Sequence, residues 1–267
     1  MSTVETEAFP AVPRFWLGTH QPSWLAHTDV PLCVSYRRLA RRRTLPKALG
    51  PWMLDSGGFS ELSLYGTWRT PADAYAEMVA RCHQEVGRLE MVAPQDWMCE
   101  PEMIARTGLS VREHQERTVA SVLELRAMLR GVRVIPVLQG WTHHQFLRCI
   151  DLYHEAGIDL TAEPVVGVGS ICRRPNVVRV CLLLDDLARA GLRLHAFGFK
   201  ITGLRLLAEV PCVSGGVVSA DSLAWSVSGT HEPGCSPTHS HEGNCLRYAL
   251  AWREQVAELL HAAGRAR

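Results

Sequence analysis

No uninterrupted apolar run in this sequence approaches the roughly 20 residues that a membrane-spanning helix requires. The first stretch, Met1–Val12, is acidic and has no apolar core behind positive charge, so it does not read as an export leader. Together these absences predict a soluble chain that stays in the cytoplasm. An excess of charge of either sign is also missing. Lys and Arg number 28 against 27 Asp and Glu, a net charge of +1 with 12 His neutral, and composition alone does not announce a nucleic-acid binder. The one dense basic run, Arg38 with Arg41, Arg42 and Arg43, can contact phosphate or form a solvated face. Nor is there a disulfide framework. The 9 Cys are odd in number and spread through apparent strands and helices, as at Cys33, Cys82, Cys149 and Cys181, which fits a reducing compartment. No repeat, low-complexity segment or long linker asks for a second domain.

A chain of 267 residues, 47% of them hydrophobic, can bury one large core. Short apolar runs recur at Phe15 to Thr19, Leu32 to Tyr36, Trp52 to Ser56, Leu89 to Asp96, Val132 to Gln139, Val165 to Ser170, Leu194 to Phe199 and Val217 to Asp221. They lack strict polar alternation and are separated by helix-prone segments, as parallel strands covered on both faces should be. Eight such strands close into an α/β barrel, a (β/α)8 TIM barrel. The expected organisation is a loosely attached segment at 1–13 and one barrel domain at 14–267, with a His- and Cys-rich loop at 229–245.

Several helices are legible between the runs. Ser110 and Glu113 form a capping box ahead of Arg117 to Leu129, whose Val119, Val122, Leu123, Leu125 and Met128 predict a buried face. Thr142 caps Phe146 to Ala156, which ends at Gly157. Pro175 opens Val177 to Ala190 and Gly191 closes it. Leu246 to Ala263 is the last helix, with Leu250, Val256, Leu259 and Leu260 inward.

In such a barrel the residues ending the strands share one rim, where these folds keep their chemistry. The rim receives Thr19, His20, Ser35, Asp55, Gly57, Gly58, Gln95, Asp96, Gln139, Gly140, Gly167, Gly169, Phe197, Gly198 and Asp221. Three carboxylates, two amides and several glycines converge with scarcely a basic residue. That set suits a neutral, planar, donor-rich ligand such as a purine-like base: carboxylates accept from its N–H edge, amides pair with its carbonyl, and glycines let it lie flat. One carboxylate can attack a sugar anomeric carbon while a second shuttles the proton on the base. Paired carboxylates alone also fit a retaining glycoside hydrolase. Taken singly, Asp55 reads as an Asx turn, Asp96 as a cap or ion-pair partner, Gln139 as a loop brace and Asp221 as a helix N-cap. Their coincidence at strand tips asks for a common cause.

Asp55-Ser56-Gly57-Gly58-Phe59, Gln95-Asp96, Val137-Leu138-Gln139-Gly140, Val166-Gly167-Val168-Gly169 and Ser219-Ala220-Asp221-Ser222, in this order, resemble the tRNA-guanine transglycosylase superfamily. The likeness runs from Trp52 to Trp225 and is strongest to the compact branch related to enzymes that insert 7-deazaguanines into DNA. It implies a TIM barrel that exchanges guanine in a polynucleotide for a 7-deazaguanine base by pentosyl transfer through a covalent intermediate. It further implies that Asp221 is the nucleophile, that Asp55 binds the base and shuttles its proton, and that Asp96 and Gln139 read the base edge. Ser56, Gly57, Gly58, Phe59, Gly140, Gly167, Val168 and Gly169 would complete the pocket. The chain departs from the family pattern at Ser60, where glutamine is usual. It also has only a short late region where the tRNA enzymes carry an inserted Cys-rich zinc subdomain, which points to DNA over a folded tRNA. A tRNA- or nucleoside-level exchange and a non-catalytic nucleic-acid-binding barrel are the alternatives. A homodimer or accessory modification proteins are further partners that the sequence leaves open.

Phosphate contacts must come from basic side chains, and Arg173 and Arg174, directly after the sixth run, together with Lys200, are the expected ones; Arg37, Arg38, Arg41 to Arg43 and Arg205 are further candidates. Late in the chain Cys235, His239, His241 and Cys245 fall as C-x3-H-x-H-x3-C, a set of thiolates and imidazoles that suits a tetrahedral structural zinc, with His231 as a spare. A His-rich surface loop is the plainer alternative. The other cysteines, Cys33, Cys82, Cys99, Cys149, Cys172, Cys181 and Cys212, read as core or incidental.

Overall fold

The computed structural model describes residues 13–199, 201–209 and 216–265. One parallel sheet contains β1 (Arg14–Thr19), β2 (Leu32–Ser35), β3 (Trp52–Asp55), β4 (Leu89–Val92), β5 (Val137–Leu138), β6 (Val166–Val168), β7 (Leu194–Ala196) and β8 (Val217–Ser222). Its order, β4-β3-β2-β1-β8-β7-β6-β5, sets each strand beside its neighbours in sequence. The segment leading into β5 closes the ring on β4: Val92 N–H donates to Arg133 O at 2.9 Å and Ile135 N–H to Val92 O at 3.0 Å. All eight predicted runs are strands of this barrel, several of them trimmed at the ends where the chain turns into the rim.

Alternate residues of each strand point to opposite faces, and both faces are covered. Inside the ring lie Trp16, Cys33, Met53, Met91, Ile135 and Val137. Outside it, Leu17, Val34, Leu54, Leu138, Val168 and Ala220 pack against the helices. Burial on both sides is why the runs show no polar alternation.

The helices are α1 (Tyr36–Leu39), α2 (Gly58–Tyr65), α3 (Ala72–Arg81), α4 (Pro101–Thr107), α5 (Val111–Met128), α6 (His143–Glu155), α7 (Val177–Arg189), α8 (Ile201–Glu209), α9 (Ala224–Gly229) and α10 (Leu246–Arg265). A separate hairpin, β9 (Pro233–Ser236) with β10 (His239–His241), precedes α10. The capping box at Ser110 and Glu113 is present, so α5 begins directly behind it rather than at Arg117. Thr142 caps α6 in the same way, paired with Gln145. Asn176 caps α7, one residue after the Pro175 expected to open it.

The predicted face of α5 needs correction. Val119, Val122 and Leu125 are buried, whereas Leu123 and Met128 are 43% and 45% exposed. These two lie at either edge of the apolar stripe, and His114, Gln115 and Thr118 take the inward positions one turn earlier. On α10, Val256 and Leu260 are buried along with Ala249 and Trp252, while Leu250 and Leu259 are only half-buried. Among the described residues no helix is long and apolar enough to cross a membrane.

Candidate active site

A cavity of about 630 Å³ opens at the end of the barrel where the strands finish. Asp55, at the tip of β3, and Asp221, on β8, both line it, joined by Asp96 from the loop after β4 and by Glu100 at the start of α4. Only the closed ring makes neighbours of residues so distant in sequence. Three arginines, Arg37, Arg38 and Arg173, sit on the same walls, so an acidic floor faces a cationic rim.

The turn after β3 is shaped by Gly57, whose φ of 77° is disfavoured for any residue with a side chain. That conformation aims the Gly57 N–H back at Asp55 Oδ2, 3.0 Å away. Removal from water pushes the Asp55 carboxyl up to about 7, helped by the negative charges of Asp96 and Asp221, with the Gly57 and Ser35 hydrogen bonds opposing. A carboxyl in that range can give and take a proton at neutral pH.

Asp96 is held from two sides. Ser56 Oγ donates to Oδ1 at 2.8 Å and Gln139 Nε2 donates to Oδ2 at 2.6 Å. Each oxygen keeps a second lone pair for a ligand donor. Burial raises the Asp96 pKa, and the two side-chain hydrogen bonds moderate the rise. Behind Gln139 the chain of contacts continues: Ser170 Oγ lies 2.6 Å from Gln139 Oε1 and 2.9 Å from Glu100 Oε2. One hydroxyl proton serves one of these acceptors at a time. Burial pushes the Glu100 carboxyl up, and its hydrogen bond with Ser170 opposes the rise.

Asp221 occupies the opposite wall. Its Oδ1 accepts the Gly198 N–H at 2.8 Å, and His195 Nε2 is 3.4 Å from the same oxygen. The N-cap position of α9 belongs to Leu223, so Asp221 is turned into the barrel instead of capping that helix.

Of the residues expected around a base, Ser56, Gly57, Gly58, Phe59, Asp96 and Gly169 line the cavity, and Gln139, Gly140, Gly167 and Val168 do not. Gln139 is fully buried and reaches the cavity only through Asp96 and Ser170. Gly140 packs on the first turn of α6, and Val168 faces the outer core. Gly167 points inward, where a side chain would strike the Phe197 ring at 2.6 Å; its bareness lets Phe197 reach the cavity wall. Among the expected phosphate contacts, Arg173 is exposed, with its guanidinium 3.8 Å from the centre of the Phe59 ring. Arg174 instead donates to Ser170 O and Gly140 O and stacks on Trp141, which makes it a brace of the loops. Lys200 lies outside the described residues.

Sequence reasoning passed over Glu100, Ser170 and His195. Glu100 precedes a proline and looks like a helix cap, yet its side chain makes no capping bond. His195 did carry a signal: an imidazole in the middle of an apolar strand must find a polar partner when buried.

The late cluster forms, with one change of membership. Ligand atoms of Cys235, His239, Glu242 and Cys245 all lie within 4.8 Å of one another. His241 is not among them, since its Nδ1 accepts the Gly243 N–H at 3.1 Å. The β9–β10 register shifts between His239 and His241, and that irregularity turns the second imidazole away. Glu242 takes its place, close against the Cys235 N–H. The separations are 3.7 Å between the two sulfurs, 3.4 Å from Cys235 Sγ to His239 Nε2 and 3.5 Å from His239 Nε2 to Glu242 Oε1. A tetrahedral ion with sulfur at about 2.3 Å and nitrogen or oxygen at about 2.1 Å sets its ligands roughly 3.4–3.8 Å apart. Glu242 Oε2 is buried with no hydrogen-bond partner among the described residues, as a carboxylate awaiting a cation would be. These residues fit a metal ion.

Of the remaining cysteines, Cys33, Cys82, Cys99, Cys149 and Cys181 are buried, Cys172 is exposed on the cavity wall, and Cys212 lies outside the described residues.

Comparison with known proteins adds the family. Among solved structures, the chain is similar to a Coccidioides immitis protein described as a fructose-1,6-biphosphate aldolase. That match has a TM-score of 0.50 at 12% identity and covers 96% of this chain and 93% of that one. It is also similar to the YdjI aldolase from Escherichia coli K12, with a TM-score of 0.45 at 13% identity, covering 96% and 94%. At such identity the first likeness speaks for the barrel fold alone. No curated protein matches the sequence. The profile of one family matches residues 12–265, which take in every strand of the barrel and the late cluster, and the chain therefore belongs to the DpdA family, deoxypurine in DNA protein A.

Proposed function

We propose that this protein replaces guanine in DNA with a 7-deazaguanine base by transferring the deoxyribosyl carbon through Asp221, the chemistry of the tRNA-guanine transglycosylases. The family supports a role in modifying DNA with deazaguanine, and the observation that carries the mechanism is the shared cavity of Asp55 and Asp221. The reaction needs these two groups in different protonation states. Asp221, as carboxylate, attacks C1′; the C1′–N9 bond breaks and its electron pair leaves with guanine, which takes the proton of Asp55. The incoming base then gives its N9 proton to Asp55 as N9 attacks C1′, and the Asp221 carboxylate is released. Atoms and charge return to the start. A carboxyl near 7 suits both proton transfers.

The base must leave the duplex stack to enter the cavity. Asp96, anchored by Ser56 and Gln139, then accepts from its N–H edge, while Arg37, Arg38 and Arg173 hold flanking phosphates at the rim. Zinc is the ion we assign to Cys235, His239, Glu242 and Cys245. With four protein ligands it would leave no open coordination position, and its part would be structural. Bound there, it would tie the hairpin to the start of α10 beside α9, the helix that follows Asp221; Ser226 Oγ of α9 already donates to Gly243 O at 2.7 Å.

The test is incubation with oligonucleotide and labelled guanine or 7-deazaguanine, followed by a denaturing gel. Label should enter DNA, and a fraction of the chain should migrate as a covalent adduct. Label in tRNA alone would move the substrate, and neither label nor adduct would leave a binding barrel.

A further inference from the structure

Two polar side chains lie among the apolar ones inside the barrel, below the rim carboxylates. On β7 and β8, His195 and Ser219 are paired in register, and their neighbours Leu194, Ala196 and Ala220 pack outward, so both point into the barrel. Ser219 and Asp221 are two residues apart on β8 and therefore share its inner face. His195 is fully buried and Ser219 is 3% exposed. Burying an imidazole and a hydroxyl in such a lumen costs free energy that an aliphatic pair would not, so stability alone does not call for them.

Their hydrogen bonds point to the purpose. Ser219 Oγ is 2.8 Å from His195 Nδ1, and the hydroxyl donating there leaves the imidazole proton on Nε2. Nε2 has no partner of good hydrogen-bond geometry among the described residues, and Asp221 Oδ1 lies 3.4 Å away. The edge of the Phe197 ring holds the imidazole plane, with ring centres 4.5 Å apart and planes at 85°. Oδ1 already accepts the Gly198 N–H, so the unpartnered Nε2 sits beside an oxygen that one donor already holds, and Oδ2 receives no hydrogen bond among the described residues.

We infer that His195 is a positioning residue for the nucleophile: with Gly198 it holds Asp221 Oδ1, assigns Oδ2 as the attacking atom, and stabilises the carboxylate when it is released. This rests on Asp221 acting as proposed above. In the first step the new bond is Oδ2–C1′, C1′–N9 breaks, and Oδ1 becomes the ester carbonyl oxygen. In the second, N9 of the incoming base forms the bond to C1′, Oδ2–C1′ breaks, and the electron pair returns to the carboxylate. Donors on Oδ1 favour the charged, departing form more than the neutral ester. Loss of the imidazole should therefore slow release more than attack.

Two variants separate this role from packing. His195→Gln keeps a donor at about the reach of Nε2, whereas His195→Asn keeps one only near Nδ1. For His195→Asn we expect an exchange rate about tenfold lower, a DNA KM within about twofold of the parent and a larger fraction trapped as adduct on a denaturing gel. His195→Gln should restore most of the rate. Exchange in His195→Asn equal to the parent, or a loss that His195→Gln does not relieve while both keep the parent melting temperature, would overturn the inference. So would a fall in adduct parallel to the fall in exchange. A measurement without turnover stands beside these: imidazole nitrogen NMR should show the Nε2–H tautomer, and Asp221→Ala should shift that proton. An Nδ1–H tautomer, or a resonance indifferent to Asp221, would sink the inference even if the parent exchanges no base. Absence of exchange and adduct in the parent, with the tautomer as expected, would count against the proposed reaction and leave the contact standing.

Discussion

The rim cavity and the hairpin cluster are both gatherings of polar side chains, but they are assembled in opposite ways. The hairpin draws Cys235, His239, Glu242 and Cys245 from one short stretch, and little more than a turn and a bulge brings them together. The cavity draws Asp55 and Asp221 from two strands and Asp96 from the loop after a third, and only closure of the ring makes them neighbours. A local cluster can be suspected from spacing, yet which member points inward depends on a register shift. A distant constellation gives no spacing to read, yet once the barrel is granted each strand tip has a fixed destination.

That contrast can be broken experimentally, beginning where the effect is largest. Asp221→Asn removes the nucleophile and should lower base exchange by about 10³-fold or more while leaving metal content unchanged. Exchange persisting in this variant would detach the cavity from the chemistry. Asp55→Asn should lower exchange by about 10²–10³-fold and should also change stability with pH. The folded carboxyl, at about 7, lies above its ordinary 3.8, so its contribution is fully present below pH 3.8 and is lost as pH rises towards 7. Replacing it with Asn should therefore raise unfolding free energy by about 2–4 kcal/mol at pH 8 and by little at pH 4. Equal denaturant midpoints for the two proteins at pH 8 would deny the raised pKa.

Cys235→Ser acts on the other region. Metal analysis should fall from about one zinc per chain to near none, with a melting temperature lower by about 5–10 °C. A parent protein that carries no zinc, and whose fold is indifferent to chelator, would reduce the cluster to a surface hairpin. The smallest effect belongs to the rim. Arg173→Ala should flatten the dependence of log affinity for DNA on log salt by about one unit, and an unchanged slope would place the phosphates elsewhere.

Legibility followed the same division. The eight strands could be read because a barrel strand is buried on both faces and therefore continuously apolar. The caps at Ser110 and Thr142 could be read because a cap is a local event. The face of α5 was drawn too wide, since Leu123 and Met128 are apolar yet fall beyond the arc that meets the neighbouring helices. Gln139 was placed on the ligand because it ends a strand, but its side chain runs beneath the rim to Asp96 and Ser170. Glu100 was missed because a carboxylate before a proline has an ordinary explanation, and His195 because the groups it faces, Ser219 and Asp221, lie on the next strand.

The order of apolar runs and breakers by itself determined a closed parallel barrel, because backbone hydrogen bonding and two-sided burial leave a chain of this pattern little else to form. It also determined that acids would stand at strand tips. Which oxygens face which donors, whether an amide meets a ligand or another side chain, and which of two neighbouring imidazoles turns towards a thiol were decided only in three dimensions. Those choices depend on tenths of an ångström and on register between strands, and the one-dimensional pattern carries neither.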